Sequence, residues 1–276
     1  MPPRTVHLIE AGIVTEQRSA GAIGAPAALA GAFAERLRPE KRVRIPFTPR
    51  DRWLSAAREA CRTLADAVSS SLATGATPVV LGAEGTLVAG TVSGALSCET
   101  DLVLVYLAAH ADYHTLATTK THEVSGMALA HVSGHSVAPL LWPGARRIAE
   151  DHVVLVGARA TDPGEAGNLA RTKIIRVPFD PEHPDAPGLI AAVRNRAVWV
   201  HLDLDLLDPT ECPAVIRPAV AGPPLRAISD VLKALGSAAA VRGVEVCGLD
   251  LTKEPGEKLP GVIARLVADL LNAKAV

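Results

Sequence analysis

Asp203 and Asp205 stand two apart in HLDLDLLDP (residues 201–209), directly after the apolar run AVWV. If this segment is a buried strand, alternation sends both carboxylates to one face, with His201 behind them. A buried unpaired carboxylate is costly, and two side by side cost more. A divalent cation held between them is the simplest remedy. A second polar stretch, AAHADYHT (108–115), adds His110 and Asp112. Asp112, Asp203, Asp205 and His110 make a hard, oxygen-rich set with one nitrogen. Such a set suits Mn2+ and, less specifically, Mg2+, Fe2+ or Zn2+. The plainer reading is that Asp203 and Asp205 accept backbone hydrogen bonds as caps, which is the better role for Asp208 in LDP.

These residues need a scaffold, and the chain supplies one pattern throughout. Apolar, β-branched runs at 5–11, 42–47, 78–82, 101–107, 152–158, 173–179, 197–205 and 243–251 predict eight strands. Ala-rich helical patterns lie between them, at 26–37, 53–72, 225–235 and 261–273 among others. Strands buried on both faces and alternating with helices mean an α/β fold with a mostly parallel sheet. An open three-layer sandwich and a closed barrel both fit eight strands. Sites in such sheets form at the carboxyl ends of strands, where GAEGT (82–86), AAHADYHT, RATDPGE (159–165), Asp203, Asp205 and DLTKEP (250–255) should meet. With no linker or repeat in view, residues 1–276 read as a single domain.

Composition narrows the function classes. A net charge of −1 without a basic block argues against a nucleic-acid surface. No run approaches signal-peptide or membrane-span length, so a cytoplasmic protein is expected. Cys61, Cys98, Cys212 and Cys247 show no CxxC spacing, which suits thiols rather than a disulfide framework or a zinc site. His131 and His135 have ligand-like spacing but no accompanying carboxylate, and read as structural or exposed.

The motifs together resemble the ureohydrolase family: arginase, agmatinase, formiminoglutamase and hydroxyarginine hydrolase. HLDLDLLDP is similar to the family's S-x-D-x-D-x-x-D-P, and AAHADYHT to D-A-H-x-D-x-N-T. VLVGARATDPGE resembles G-x-R-D-x-D-x-x-E, and GAIGAPAALAGAF (21–33) the opening G-x-x-x-G-P helix. The resemblance implies an arginase-like three-layer α/β/α sandwich with an eight-stranded parallel sheet. It also implies two Mn2+ ions bridged by hydroxide, attacking a guanidino carbon.

Departures from the family pattern fall at the reactive positions. GAEG (82–85) replaces G-G-D-H, so Gly85 stands where a metal-binding His belongs, with Glu84 beside it but out of register. Ala108 replaces a bridging Asp, and Ser125 in HEVSG (122–126) replaces a proton-shuttling His. The closing E-V-N-P resembles KEP, which puts Lys253 where a Glu holds the guanidinium and leaves Glu254 a contender. By the same resemblance, Asp162, Glu165, Thr121 and His114 would surround an α-amino-acid moiety. A plainer reading of DPGE is a helix start, with Asp162 as cap and Glu165 in the first turn.

Two functions follow. The first is a divergent C–N hydrolase of an amino-acid-like substrate, not a true arginase. It would use one metal-bound water, with Mn2+ preferred, held by His110, Asp203 and Asp205. Asp112 or Glu254 would be its base. The second is a catalytically inactive relative that binds a small molecule or a partner subunit, with or without an ion. Neither involves nucleic acid or membrane, and both allow an oligomer.

Overall fold

The computed structural model describes residues 4–179, 187–253 and 256–273. The apolar runs form eight strands: β1 (Val6–Ala11), β2 (Lys41–Arg44), β3 (Thr77–Gly82), β4 (Leu102–Leu107), β5 (Val153–Val156), β6 (Ile175–Val177), β7 (Ala197–Asp203) and β8 (Ala240–Cys247). They make one sheet in the order β2-β1-β3-β8-β7-β4-β5-β6. Every pairing in it is parallel. The sheet stays open, with β2 and β6 at its edges, so the sandwich and not the barrel is the architecture.

The helices are α1 (Ala25–Leu37), α2 (Trp53–Ala73), α3 (Val88–Ala95), α4 (Ala128–Val132), α5 (Pro163–Leu169), α6 (Pro187–Val193), α7 (Leu225–Ala238) and α8 (Leu259–Asn272). Strand alternation divides the core between the two faces of the sheet. Leu8, Val79, Val103 and Val154 pack with α1, α6, α7 and α8. Ile9, Val80, Leu104 and Leu155 pack with α2, α3 and α4 on the other face. Each fully buried Val or Leu contributes about 1.5–3 kcal/mol, so the doubly covered strands hold the frame. Among the described residues no helix is long and apolar enough to cross a membrane.

Two details position the site. Strand β7 stops at Asp203, and Leu204–Leu206 forms a 3-10 turn whose Asp205 N–H donates to Asp203 Oδ1 at 2.9 Å. The expectation that both aspartates alternate along one strand is thereby corrected. The carboxylate of Asp203 closes the turn, and Asp205 stands past the strand's end while both carboxylates border one cavity. A bulge beside Val198 and Trp199 sets the Trp199 ring against Gly243, where a Cβ would lie 2.2 Å from it.

Candidate active site

Strands β3, β8, β7 and β4 are consecutive neighbours, so the loops at their carboxyl ends converge. They border a cavity of about 220 Å3, whose wall includes Gly85, Asp112, Ser125, Asp203, Asp205 and Arg217. Pockets for drug-sized ligands span about 300–1,000 Å3, so this one suits a small metabolite.

The carboxylates are held by the protein's own donors. Asp112 sits at φ 49°, an uncommon conformation that Asp tolerates. Its carbonyl accepts the N–H groups of Leu129 and Ala130 at the start of α4, and the Tyr106 hydroxyl donates to its Oδ2 at 2.7 Å. Asp205 Oδ1 accepts the Ala109 N–H at 2.8 Å, and its Oδ2 bonds His110 Nδ1 at 2.6 Å. Burial pulls the His110 pKa down, but the Asp205 bond and charge outweigh it and hold it above the ordinary value. Asp203 Oδ2 stands 3.4 Å from Cys247 Sγ. Burial, and then the Asp205 charge, push the Asp203 pKa up. Gly248 follows at φ 92°, and a Cβ there would come within 2.2 Å of Asp203 Oδ1, so only glycine lets β8 end against this carboxylate.

Several groups at the site carried no signal in the sequence. His201 is fully buried and bonds the equally buried Glu245 through Nδ1 at 2.6 Å. The Tyr106 ring stacks on its imidazole at 4.0 Å and 7°. His201 had been placed behind the aspartates, but Glu245 and Cys247 reach it only through strand pairing. Arg217 lies in the Pro-rich loop before α7. Its Nη2 donates to Ser125 Oγ at 2.6 Å, and Nη1 lies 3.5 Å from Glu123. Burial lowers its pKa, but Asp112, Glu123, Asp203 and Asp205 together raise it further, so the guanidinium stays charged within a cavity that Arg18 also borders. Glu84 lines the cavity, its Oε1 taking the Thr15 N–H and the hydroxyls of Thr15 and Thr86 while its buried Oε2 has no hydrogen-bond partner.

The predicted metal set comes together only in part. All four residues lie at the carboxyl edge of the sheet, and the three aspartates line the cavity. His110 is spent on Asp205 and is not part of the wall. Among the described residues, the group whose ligand atoms all lie within 4.8 Å of one another is His201, Asp203 and Cys247. One member of the expected quartet is in it. The two-ion centre does not fit these residues, because Gly85 and Ala108 offer no side-chain ligand where the resemblance requires one.

The other predicted residues divide. Ser125 is in the wall. Lys253 is not: its Nζ donates to the carbonyls of Val215 and Ile216, at 2.5 and 3.4 Å, and does not face a substrate. Glu254 lies outside the described residues. Asp162 caps α5 by accepting the Gly164 and Glu165 N–H groups, at 2.8 and 3.1 Å. Glu165 is buried and accepts the Tyr113 N–H at 2.8 Å, and burial raises its pKa to about 7. His114 pairs with the Thr118 hydroxyl, and Thr121 is exposed, its hydroxyl accepting the Glu123 N–H. Asp162, Glu165, His114 and Thr121 are not part of the cavity's wall.

A family model described as "Arginase family" matches residues 14–272. The chain is 30% identical to an arginase of Bacillus caldovelox over 81% of this chain and 78% of that protein. It is 30% identical to the N(omega)-hydroxy-L-arginine amidinohydrolase of Streptomyces lavendulae over 63% of this chain and 62% of that protein. Among solved structures it superposes on an arginase from Bacillus cereus with a TM-score of 0.87 at 24% identity, covering 98% of this chain and 99% of that one.

Proposed function

The chain belongs to the arginase family, hydrolases of amidino C–N bonds, and from that premise we propose that it is a divergent C–N hydrolase of a small amino-acid-like substrate, using one divalent ion and not cleaving arginine. The observation that carries this reading is Arg217. A guanidinium already faces Asp112, Asp203 and Asp205 from within the cavity. A substrate guanidinium would have to share the same carboxylates with it, and like charges in a partly desolvated cavity repel strongly. A neutral amidine-like or amide-like reacting group escapes that repulsion.

The residues have distinct tasks under this reading. Arg217 orients an oxygen of the substrate. Ser125 accepts from Arg217, which leaves its own proton free to be donated to the substrate. Asp112 is the proton acceptor, held in place by Tyr106 and by its strained backbone. Asp203 is the carboxylate available to an ion, since Oδ2 carries no backbone donor. A bound ion supplies Lewis acidity that lowers the pKa of a water.

The test is release of urea and ammonia, with Mn2+ or Zn2+ supplied, from arginine, agmatine and amino acids ending in a carbamoyl or amide group. Product from the neutral-ended compounds alone supports the reading, and brisk urea release from arginine defeats it. A second reading, ligand binding without turnover, is favoured by one observation: each predicted metal carboxylate already has a protein donor. A rise in melting temperature with those same compounds, without product, would select it.

A further inference from the structure

Pairing between β7 and β8 sets Asp203 opposite Cys247 and His201 opposite Glu245. Residues more than forty positions apart in sequence are thus neighbours on the same side of the sheet. His201 Nε2 lies 3.8 Å from Cys247 Sγ, and Sγ lies 3.4 Å from Asp203 Oδ2. All three groups are buried, and Asp203 also lines the cavity. We propose that His201, Asp203 and Cys247 form a three-ligand site for a zinc-type ion, distinct from the His110, Asp112, Asp203 and Asp205 set expected from the sequence. The assignment rests on the one-ion reading above and deepens it by naming the ligands.

The two separations at the sulfur fit a shared ion. With Zn–S of about 2.3 Å and Zn–N and Zn–O of about 2.0–2.1 Å, separations of 3.8 and 3.4 Å correspond to angles of about 120° and about 105° at one centre, close to tetrahedral. Donor chemistry agrees: a thiolate with an imidazole and a carboxylate selects zinc over manganese. Orientation agrees too. His201 Nδ1 lies 2.6 Å from Glu245 Oε1, which turns Nε2 toward Cys247 in the carboxylate–histidine arrangement that supports many metal-bound imidazoles. The stacked Tyr106 ring fixes the plane of the imidazole.

Charge and space follow. The carboxylate and the thiolate neutralise a divalent ion, and the Cys247 proton leaves to solvent on binding. Glu245 Oε2 is buried without a hydrogen-bond partner, a costly state for a carboxylate that a nearby cation relieves. A Cβ at Gly85 would lie 3.5 Å from Asp112 Oδ2 and 3.7 Å from His201 Cε1. The glycine therefore leaves room for one small group bordered by the Tyr106 hydroxyl, Asp112 and the imidazole.

The experiment is Co2+ loading of the full chain, prepared without chelator, followed by absorption spectroscopy. The expected result is one Co2+ per chain with a near-ultraviolet thiolate-to-cobalt band. That band disappears in Cys247→Ser and persists in His110→Asn. Should Cys247→Ser fail to fold, zinc-edge X-ray absorption of the unmodified chain decides: one sulfur neighbour at about 2.3 Å is expected. A bound ion with only oxygen and nitrogen neighbours overturns this ligand set and leaves the one-ion reading standing. No bound ion overturns both, and leaves His201 and Glu245 as a buried ion pair with the Cys247 thiol donating to Asp203.

Discussion

At the scale of single residues, the site is governed by where charge is allowed to stand. Glu165 shows it through pH. Its pKa is raised to about 7 by burial, against 4.5 for the ordinary side chain. A carboxyl with a raised folded pKa stabilises the fold fully below about pH 4.5, and that contribution fades as pH rises through 7. Glu165→Gln keeps an acceptor for the Tyr113 N–H and never ionises. The variant should therefore gain on the natural chain by up to about 3 kcal/mol between pH 4 and pH 8, measured by urea denaturation. An equal difference at both ends would refute the shift. Arg217 shows it through competition. Removing this cation in Arg217→Ala should tighten divalent-ion binding by about tenfold, which is 1.4 kcal/mol, in calorimetric titrations. Unchanged affinity would mean that the guanidinium and the ion do not share the same field. The first-turn position of Glu165 is legible in DPGE, but its bond to the Tyr113 N–H in the loop after β4 is not, and the stretch from Arg217 reads only as a Pro-rich loop.

At the scale of elements, legibility depended on whether a property is local. Whereas β2 and β6 are short, exposed edge strands, strands β1, β3, β4, β5, β7 and β8 could be found because parallel strands covered on both faces must be largely apolar. Their ends could not, because the end of β7 is set by a turn that Asp203 itself closes. The cap of α5 was readable as an alternative, since Asp-Pro at a helix start is a local signal. Asp162→Ala should cost about 1 kcal/mol of stability, as lost N-caps do, and leave substrate KM unchanged. A KM that rises many-fold at intact stability would return Asp162 to the binding site. Gly243 tests the packing between β7 and β8. A methyl group 2.2 Å from the buried Trp199 ring forces either the ring or the bulge to move. Gly243→Ala should destabilise by about 1–3 kcal/mol in equilibrium denaturation. A neutral effect would show that the bulge is soft, and would weaken any argument drawn from the register of these two strands. That register is also why His201 and Cys247 were invisible as a pair: only strand pairing brings them together.

At the scale of the whole molecule, the order of strands carries information of a different kind. The last strand in sequence, β8, is not at an edge but between β3 and β7. Without it the sheet falls into two pieces, β2-β1-β3 and β7-β4-β5-β6, with no strand pairing across the gap. A growing chain on the ribosome must therefore hold two half-sheets apart, each with an unsatisfied inner edge, until residues 240–247 emerge. Such edges are templates for wrong pairing. Stalled nascent chains ending before residue 240 should be cut readily by protease throughout, whereas chains long enough to expose β8 and α8 should become resistant in one step. Early resistance of either half would show that it folds unaided. The strand that completes the sheet also delivers Glu245 and Cys247, so the join between the half-sheets and the cluster around His201 and Asp203 come into being in the same event.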